Sequence, residues 1–544
     1  MSTNPDRWSP QRDSARRARQ AIPEQVDVAV VGAGLGGLVA AARLARAGKR
    51  VAVFDGHYVA GGSCTMFQRR GPGGLYNFDI GLHYIGDCGV RGAIPSILGD
   101  LGITLDYRPL DPDGFDTLVF PDFTFRIPAS RGAYRDRLVA MFPSERRGID
   151  RYVALLEQVE QIGKKFEQTG GKPTLRLALD VALHGRLLAR YQNATIAQVL
   201  DDCTRDPRLR AVILGQNGDY GLPPSEVSAL LHCGLANHYF TGAVYPVGGG
   251  QVIADALAGV IEASGGTVHL RHGVSGIVVR DGRAAGVRVE TRDGLHEVAA
   301  QWVLSNADLK RTVAELLPAE AVPAAWADKI RGYRMAGALF MTCLGVEGDL
   351  RAYGMQNSNY WQFDGHDTEA MYRAGRRADA AVAAGCYVTS ASVKDPETTH
   401  HAPAGYSTVE VMTLVPADAA MWGVVEQAPG SWSYKESPAY QATKQRLEDD
   451  MVRRFAMLFP AAAERIVLRE SATPLTHTRY TRASGGTAYG IAATPDQFMQ
   501  KRPGYRTPID RLLLCGASTR AGHGVVGAMM SGRNAASTLL KLEG

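Results

Sequence analysis

Residues 26–55 read VDVAVVGAGLGGLVAAARLARAGKRVAVFD. An apolar β-rich run, a glycine turn, an Ala/Leu-rich run of helical period stopped at Gly48, and a second β-rich run ending at Asp55 follow one another. The pattern predicts strand, turn, helix and strand, a βαβ unit of about 30 residues. Gly32, Gly34 and Gly37 spell G-x-G-x-x-G at the strand-to-helix turn, with Ala33 and Gly36 among them. Gly32 permits the tight turn, Gly34 lets the backbone approach a pyrophosphate, and Gly37 lets helix and strand pack closely. Free N–H groups at the positive end of the helix favour that pyrophosphate by roughly 0.3–1 kcal/mol. Asp55, ending the next strand, is placed to accept from ribose hydroxyls. The unit predicts dinucleotide binding and leaves open whether the ligand is a nicotinamide or a flavin.

Further along, Gly61, Gly62 and Ser63 form a second glycine turn. Residues 267–297 show short β-rich runs broken by Arg-Asp-Gly turns, and QWVLSNAD at 301–308 reads as another strand. Residues 175–200 are helical in period; residues 339–346 and 407–414 read as strands of a separate sheet. Residues 511–542 are a strand, a glycine loop beginning at Gly516 and a long small-residue helix. A flavin dinucleotide stretched across the domain uses such a remote element, through backbone N–H groups near Ala517, Val525 and Val526, whereas a nicotinamide enzyme does not need it. The fold class is therefore α/β: a discontinuous Rossmann-type domain over 25–130, 246–332 and 475–544, with an inserted mixed α+β substrate domain over 131–245 and 333–474.

Composition narrows the function. The 544 residues are 45% hydrophobic and 21% charged, within globular norms, and the formal net charge of +5 gives no field for a polyanion, so nucleic acid is not the partner. Seven scattered cysteines have no CxxC or zinc spacing, which points to reduced thiols in a cytoplasmic setting and to no metal site. Residues 1–24 are a flexible basic leader with Arg7, Arg12, Arg16, Arg17 and Arg19, without the apolar core of a signal peptide. The stretch 26–42 is broken by glycines and carries Asp27, so it is no membrane span.

The segments GGSCTMFQRRG, FDIGLHYIGD, GDYGLPPSE, VYPVGGGQVIADALA, VLSNAD, ASGGTAYGI and LLLCGASTRAGHGVVGAMMSG, together with residues 26–55, resemble the phytoene desaturase, carotenoid isomerase and retinol saturase superfamily of FAD proteins. The resemblance spans about residues 26–540. FDIGLHYIG is closest to the retinol saturase branch, where a His-Tyr pair follows the Phe-Asp-x-Gly turn; classical desaturases have FDxGP. The resemblance implies FAD contacts at Gly32, Gly34, Gly36, Gly37, Gly62, Ser63, Gly516 and Ala517, with Asp55 on the adenosine ribose and the Val274 backbone at the adenine edge. Two positions depart from the pattern: the family acid is more often Glu than Asp55, and Ser63 stands where desaturases usually carry Arg. The implied activity is saturation of a carbon–carbon bond in a long hydrophobic polyene or isoprenoid. Alternatives on the same fold are a carotenoid desaturase or cis-trans isomerase, a flavin amine oxidase, and a flavin-free prenyl-lipid escort like the GDP-dissociation inhibitors. No second dinucleotide fingerprint is present, so electrons come from or go to an external partner: a quinone, NAD(P)H or oxygen.

His83 and Tyr84 are the candidates for proton delivery, because histidine titrates near neutrality and both side chains can donate. His232, His238 and His523 are lesser candidates, and His400 and His401 read as loop residues. Apolar residues at helical spacing in 175–200, interrupted by Arg176, Arg186 and Arg190, make either a membrane-surface helix or one buried on its own domain. Tyr239, Phe240 and Tyr245 are candidate aromatic walls for a polyene.

Overall fold

The computed structural model describes residues 15–89, 92–168, 174–375, 384–416, 419–424 and 433–544. The leader residues Arg7 and Arg12 lie outside them. Where the leader is described it is docked and not free: Arg16 and Arg17 both pair with Glu262, at 3.1 and 3.0 Å, and Arg17 is buried.

The βαβ unit forms as read, with strands Gln25–Val31 and Val51–Asp55 flanking the helix Leu35–Arg46. These strands sit inside a seven-stranded sheet ordered Val274–Arg280, Arg283–Thr291, Gly294–Ser305, Gln25–Val31, Val51–Asp55, Thr267–Leu270, with Leu512–Leu514 parallel to the end of Gly294–Ser305. The segment QWVLSNAD is not a separate strand; all but its last residues complete the twelve-residue strand Gly294–Ser305. That strand is exposed over residues 294–297, where it pairs only in a hairpin, alternates over 298–301, and is buried at every residue over 302–305, where parallel partners flank it, so its two halves read as two elements. Helix Leu35–Arg46 packs on helices Gln251–Ala263 and Gly524–Glu543. Backbones meet at the second contact, where a Cβ on Gly532 would lie 2.1 Å from the Gly36 carbonyl oxygen.

The second sheet runs Ile466–Ala472, Ala338–Glu347, Tyr406–Val415, Gly385–Thr389, Asn359–Phe363, Asp116–Val119, Thr124–Ile127. The two strands read from sequence are its second and third, antiparallel over ten residue pairs. Asp116–Val119 and Thr124–Ile127, within the stretch expected in the dinucleotide domain, belong to this sheet instead. Strands of four residues carry too little alternation to declare their partner. Helix Pro438–Leu458 covers one face, burying Leu447, Met451 and Phe455 with Phe340, Leu344 and Val411. The other face carries one cross-strand row, Met341, Met412, Tyr387 and Trp361, each opposite the next.

The helical stretch 175–200 is three helices: Leu175–His184, Arg186–Tyr191 and the start of Ile196–Cys203. Gly185 separates the first two, and Thr195 begins the third through a capping box with Gln198. Among the described residues no helix is long and apolar enough to cross a membrane.

Candidate active site

One cavity of about 1790 Å³ lies between the two sheets, walled at one end by the glycine turns and at the other by the row Met341, Met412, Tyr387 and Trp361. Ordinary small-molecule pockets measure about 300–1,000 Å³, so this one has room for a dinucleotide and a second ligand.

At the first end, Gly32, Gly34 and Gly36 line the cavity, while Ala33 and Gly37 stand behind it. Gly32 adopts φ +96°, and a Cβ on Gly37 would sit 2.2 Å from the Gly32 carbonyl oxygen, so both positions require glycine. Gly34 caps helix Leu35–Arg46 with no side-chain bond and no acid in the first turn, leaving N–H groups for an anion. Helix Gly524–Glu543 also starts at the cavity without a side-chain cap or first-turn acid. Two donor-rich termini in one cavity suit a ligand with phosphates at one end and a heterocycle at the other. Asp55 lines the cavity too, but its oxygens already accept from the backbone N–H groups of Ala33 and His57, both at 2.7 Å. The shorter acid therefore braces the glycine turn, and any ribose hydroxyl must share it. The Gly61 N–H donates to the Ala33 carbonyl at 2.7 Å, knitting the two turns together. Gly62, Ser63, Val274, Gly516, Ala517, Val525 and Val526 all line the same cavity.

Sequence reasoning missed Asn306. Its side chain fills the space between Gly34, Gly36 and Gly516, where a Cβ on any of the three would approach it within 2.9 Å. The VLSNAD motif was the signal: an amide at the end of a buried parallel strand, pointing at a glycine turn.

At the second end Tyr84 stacks on Tyr239, with ring centroids 4.4 Å apart, and Tyr387 packs on Trp361 at 4.5 Å. Of the three aromatics expected as walls, only Tyr239 reaches the cavity. Phe240 instead packs on Tyr134, and Tyr245 is fully buried with its hydroxyl on Asp79. Tyr387 and Trp361 come from strands whose alternation puts one side chain in two on the cavity face, and Tyr239 from the end of helix Ala229–Tyr239.

The histidines divide by what their ring nitrogens meet. His83 lines the cavity, and burial with the nearby Lys394 ammonium pushes its imidazole down to about 3. It is neutral near pH 7; with the Ile80 carbonyl satisfied by one ring nitrogen, its Nε2, unpaired among the described residues, offers a lone pair and not the expected proton. Tyr84 is no free acid either: burial, then Asp116 and Asp219, raise its phenol well above the ordinary value. Its hydroxyl lies 3.0 Å from Asp116 Oδ2 and 2.9 Å from Asp219 Oδ2. His232 is structural, held by the Tyr152 and Tyr220 hydroxyls, and His238 Nε2 accepts from the Gly86 N–H at 2.8 Å. His523 lines the cavity, its Nδ1 unpaired among the described residues. His400 and His401 do lie in a loop but are buried, His401 against Asp395 at 3.2 Å.

Behind the FDIGLHY turn, Lys394 is buried and donates to the His83 carbonyl at 2.5 Å and to Thr389 Oγ1. Burial lowers its ammonium to about 8 and raises the neighbouring Glu410 carboxyl to about 8. Nothing in the sequence around Lys394 or Glu410 marks them, because their meeting is a property of the second sheet.

A family model described as an NAD(P)-binding Rossmann-like domain matches residues 30–101, and one described as a flavin containing amine oxidoreductase matches residues 431–540. The all-trans-retinol 13,14-reductase of Danio rerio is 30% identical over 517 residues, covering 91% of this chain and 83% of its own. The chloroplastic prolycopene isomerase 1 of an Oncidium hybrid cultivar is 25% identical over 525 residues, covering 94% of this chain and 83% of its own. An oxidoreductase of known structure from Methanosarcina mazei superposes with a TM-score of 0.61 at 18% identity, over 95% of this chain and 100% of that one, a likeness of fold. The chain belongs to the all-trans-retinol 13,14-reductase family, within the superfamily of flavin oxidoreductases that also includes the carotenoid desaturases and isomerases.

Proposed function

We propose that this protein is an FAD-dependent saturase that reduces one carbon–carbon double bond of a retinoid- or carotenoid-like polyene. The observation that carries the reading is the single cavity joining three glycine turns to an apolar, aromatic sheet face. FAD, when bound, supplies the hydride equivalent for the reduction. Gly32, Gly34, Gly36, Gly62, Ser63, Gly516, Ala517, Val525 and Val526 would hold its phosphates, ribityl chain and ring through backbone donors, with Gly37 and Ala33 shaping the first turn. Asp55 and the Val274 backbone would meet the adenosine end. Tyr84, Tyr239, Tyr387 and Trp361 orient the polyene and exclude water. A chain of apolar carbons gains about 0.8 kcal/mol per buried CH₂, so a mostly apolar tunnel suffices for binding and shape selects the bond. His83 presents an acceptor nitrogen to the cavity, suited to a hydroxyl at the polar end of a retinoid. Electrons enter from an external donor, either NAD(P)H or a quinone, with oxygen as a competing acceptor.

The test mixes photoreduced protein, under nitrogen, with all-trans-retinol and a small panel of carotenoids, following the flavin spectrum and product mass together. Flavin reoxidation with a gain of two hydrogens is the expected result. Product of unchanged mass and altered geometry would replace the reading with an isomerase, as in the plant relative's name. Product that has lost two hydrogens to oxidised flavin would replace it with a desaturase.

The protein reaches its substrate at a membrane surface, in this reading. Leu175, Leu179 and Leu183 stand 80%, 55% and 71% exposed along one face of helix Leu175–His184. Asp180 is neutralised by Lys165 at 2.8 Å, leaving Arg176 and Arg186 to meet anionic headgroups. Replacing Leu179 and Leu183 by Gln should lower the affinity for anionic vesicles at least about tenfold in co-sedimentation, given the ~1.5–3 kcal/mol for burying one leucine. Equal partitioning of the variant and the parent would remove this helix as the contact.

A further inference from the structure

We infer that Asp219 is the proton donor for the reduction proposed above, with Tyr84 and Asp116 as the residues that position it; the inference rests on that reading of function. The geometry is a chain of three groups. The Tyr84 hydroxyl bridges two carboxyls, 3.0 Å from Asp116 Oδ2 and 2.9 Å from Asp219 Oδ2. One phenol hydrogen serves only one of them, so the contact holds together when the two acids carry one additional proton. The rest of the network says which acid keeps it. Asp116 also accepts from the amides of Gln216 at 2.7 Å and Asn359 at 2.9 Å, which favours its anion. Asp219 accepts from tyrosines alone, Tyr84 and, at 3.4 Å, Tyr239. Asp219 also lines the cavity, and among the described residues no protein donor is seen on its Oδ1. Asp116 does not line the cavity.

Charges around the pair fit this assignment. Facing Asp219 are Tyr84 from the segment after the FDIG turn, Asp116 from strand Asp116–Val119, Tyr239 from helix Ala229–Tyr239, Tyr387 from strand Gly385–Thr389, and Tyr220 and Tyr489. No cation bonds either carboxyl among the described residues; Lys394 acts on Asp116 only through its field. Burial, and then the Asp116 charge, raise Asp219 to about 7, while burial raises Asp116 to about 6 against its amide donors. The two titrate as a pair.

In the step, the π bond of one C=C is broken. One new C–H bond forms with a hydride equivalent from the reduced flavin, and the neighbouring one forms with the Asp219 proton. Two electrons leave the cofactor, the polyene gains two hydrogens, and Tyr84 swings its phenol hydrogen from Asp116 to the new Asp219 carboxylate. Water then restores the proton.

The test compares the parent holoenzyme with Asp219→Asn, Asp116→Asn and Tyr84→Phe. Infrared titration without substrate should show a protonated-carboxyl band in the parent, lost as pH rises through about 7, absent in Asp219→Asn and shifted in the other two. In anaerobic single turnover with a polyene that the parent reduces, Asp219→Asn should be slower by at least about 100-fold with flavin and polyene still bound. The donor works only when protonated, so the parent's rate should fall about tenfold per pH unit above its midpoint, and the residual rate of Asp219→Asn should be flat. Parent-like turnover and pH profile in Asp219→Asn, or a band untouched by that substitution, would overturn the assignment. A parent that reduces no polyene would overturn the function and with it the donor role, while the infrared band still judges the shared proton separately.

Discussion

A Gly37→Ala chain should lose its flavin on purification and melt several degrees below the parent. Helix propensity alone favours the opposite outcome, since alanine in a helix interior is better than glycine by about 1 kcal/mol. The added methyl, however, would stand 2.2 Å from the Gly32 carbonyl oxygen and 3.1 Å from Asn306 Cβ. The nearest atom is backbone, held by a turn in which the Gly32 N–H donates to the Phe54 carbonyl at 2.8 Å. Helix and strand must separate to admit the methyl, at a cost of about 1–3 kcal/mol or more. The separation displaces the N–H groups of the first helical turn, which the proposed function sets against the cofactor's phosphates, so cofactor affinity should fall together with stability. Gly163→Ala is the control: it lies in helix Arg146–Gln168 with nothing within 4 Å of the added methyl, and should be neutral or slightly stabilising. Flavin-to-protein absorbance ratio and thermal melting check both, and a yellow, parent-like Gly37→Ala protein would mean that this turn does not hold the cofactor.

What the sequence disclosed follows from how local each signal is. The βαβ unit was readable because its strand, glycine turn, helix and acid lie within one short stretch and each constrains the next. The strand pair Ala338–Glu347 and Tyr406–Val415 was readable because ten-residue strands carry enough β-branched and apolar residues to show themselves. The cavity-facing walls were not. Tyr239 and Tyr245 look alike in NHYFTGAVYPVGGG, yet one stacks on Tyr84 and the other closes over Asp79, a choice made by partners far away in sequence. Tyr84 and Asp219 are 135 residues apart, and no spacing rule joins them. Asp219 sits in GDYGLPPSE, a segment that carried the family resemblance without pointing to any chemistry. His83 illustrates the converse: residue type suggested a neutral-range acid, and burial removed that property.

Lys394→Met should destabilise the protein by about 3–5 kcal/mol, and Glu410→Gln added to it should return part of that loss. Lys394 is the cation among a set of buried acids, with Glu410 and Asp79 acting on it most strongly after burial itself. Removing one member of a buried charged group leaves the others uncompensated, which is costlier than never having built the group. Glu410 Oε1 has no hydrogen-bond partner among the described residues, and burial already raises its carboxyl to about 8, so in Lys394→Met only backbone donors oppose its neutral form. Glu410→Gln makes that neutrality permanent, and the double-mutant cycle then reads the coupling between the two sites. The effect should reach the cavity, because Lys394 Nζ also holds the His83 carbonyl at 2.5 Å, and with it the turn that presents Tyr84 to Asp219. Glu410→Gln alone keeps that tether. It should therefore bind polyene and turn over close to the parent, whereas Lys394→Met should lose turnover even where it is still folded. Denaturant titration and single turnover on the same three variants separate the two effects. Equal losses of turnover in Lys394→Met and Glu410→Gln would mean that the ion cluster, and not the tether on His83, sets the geometry of the reacting end.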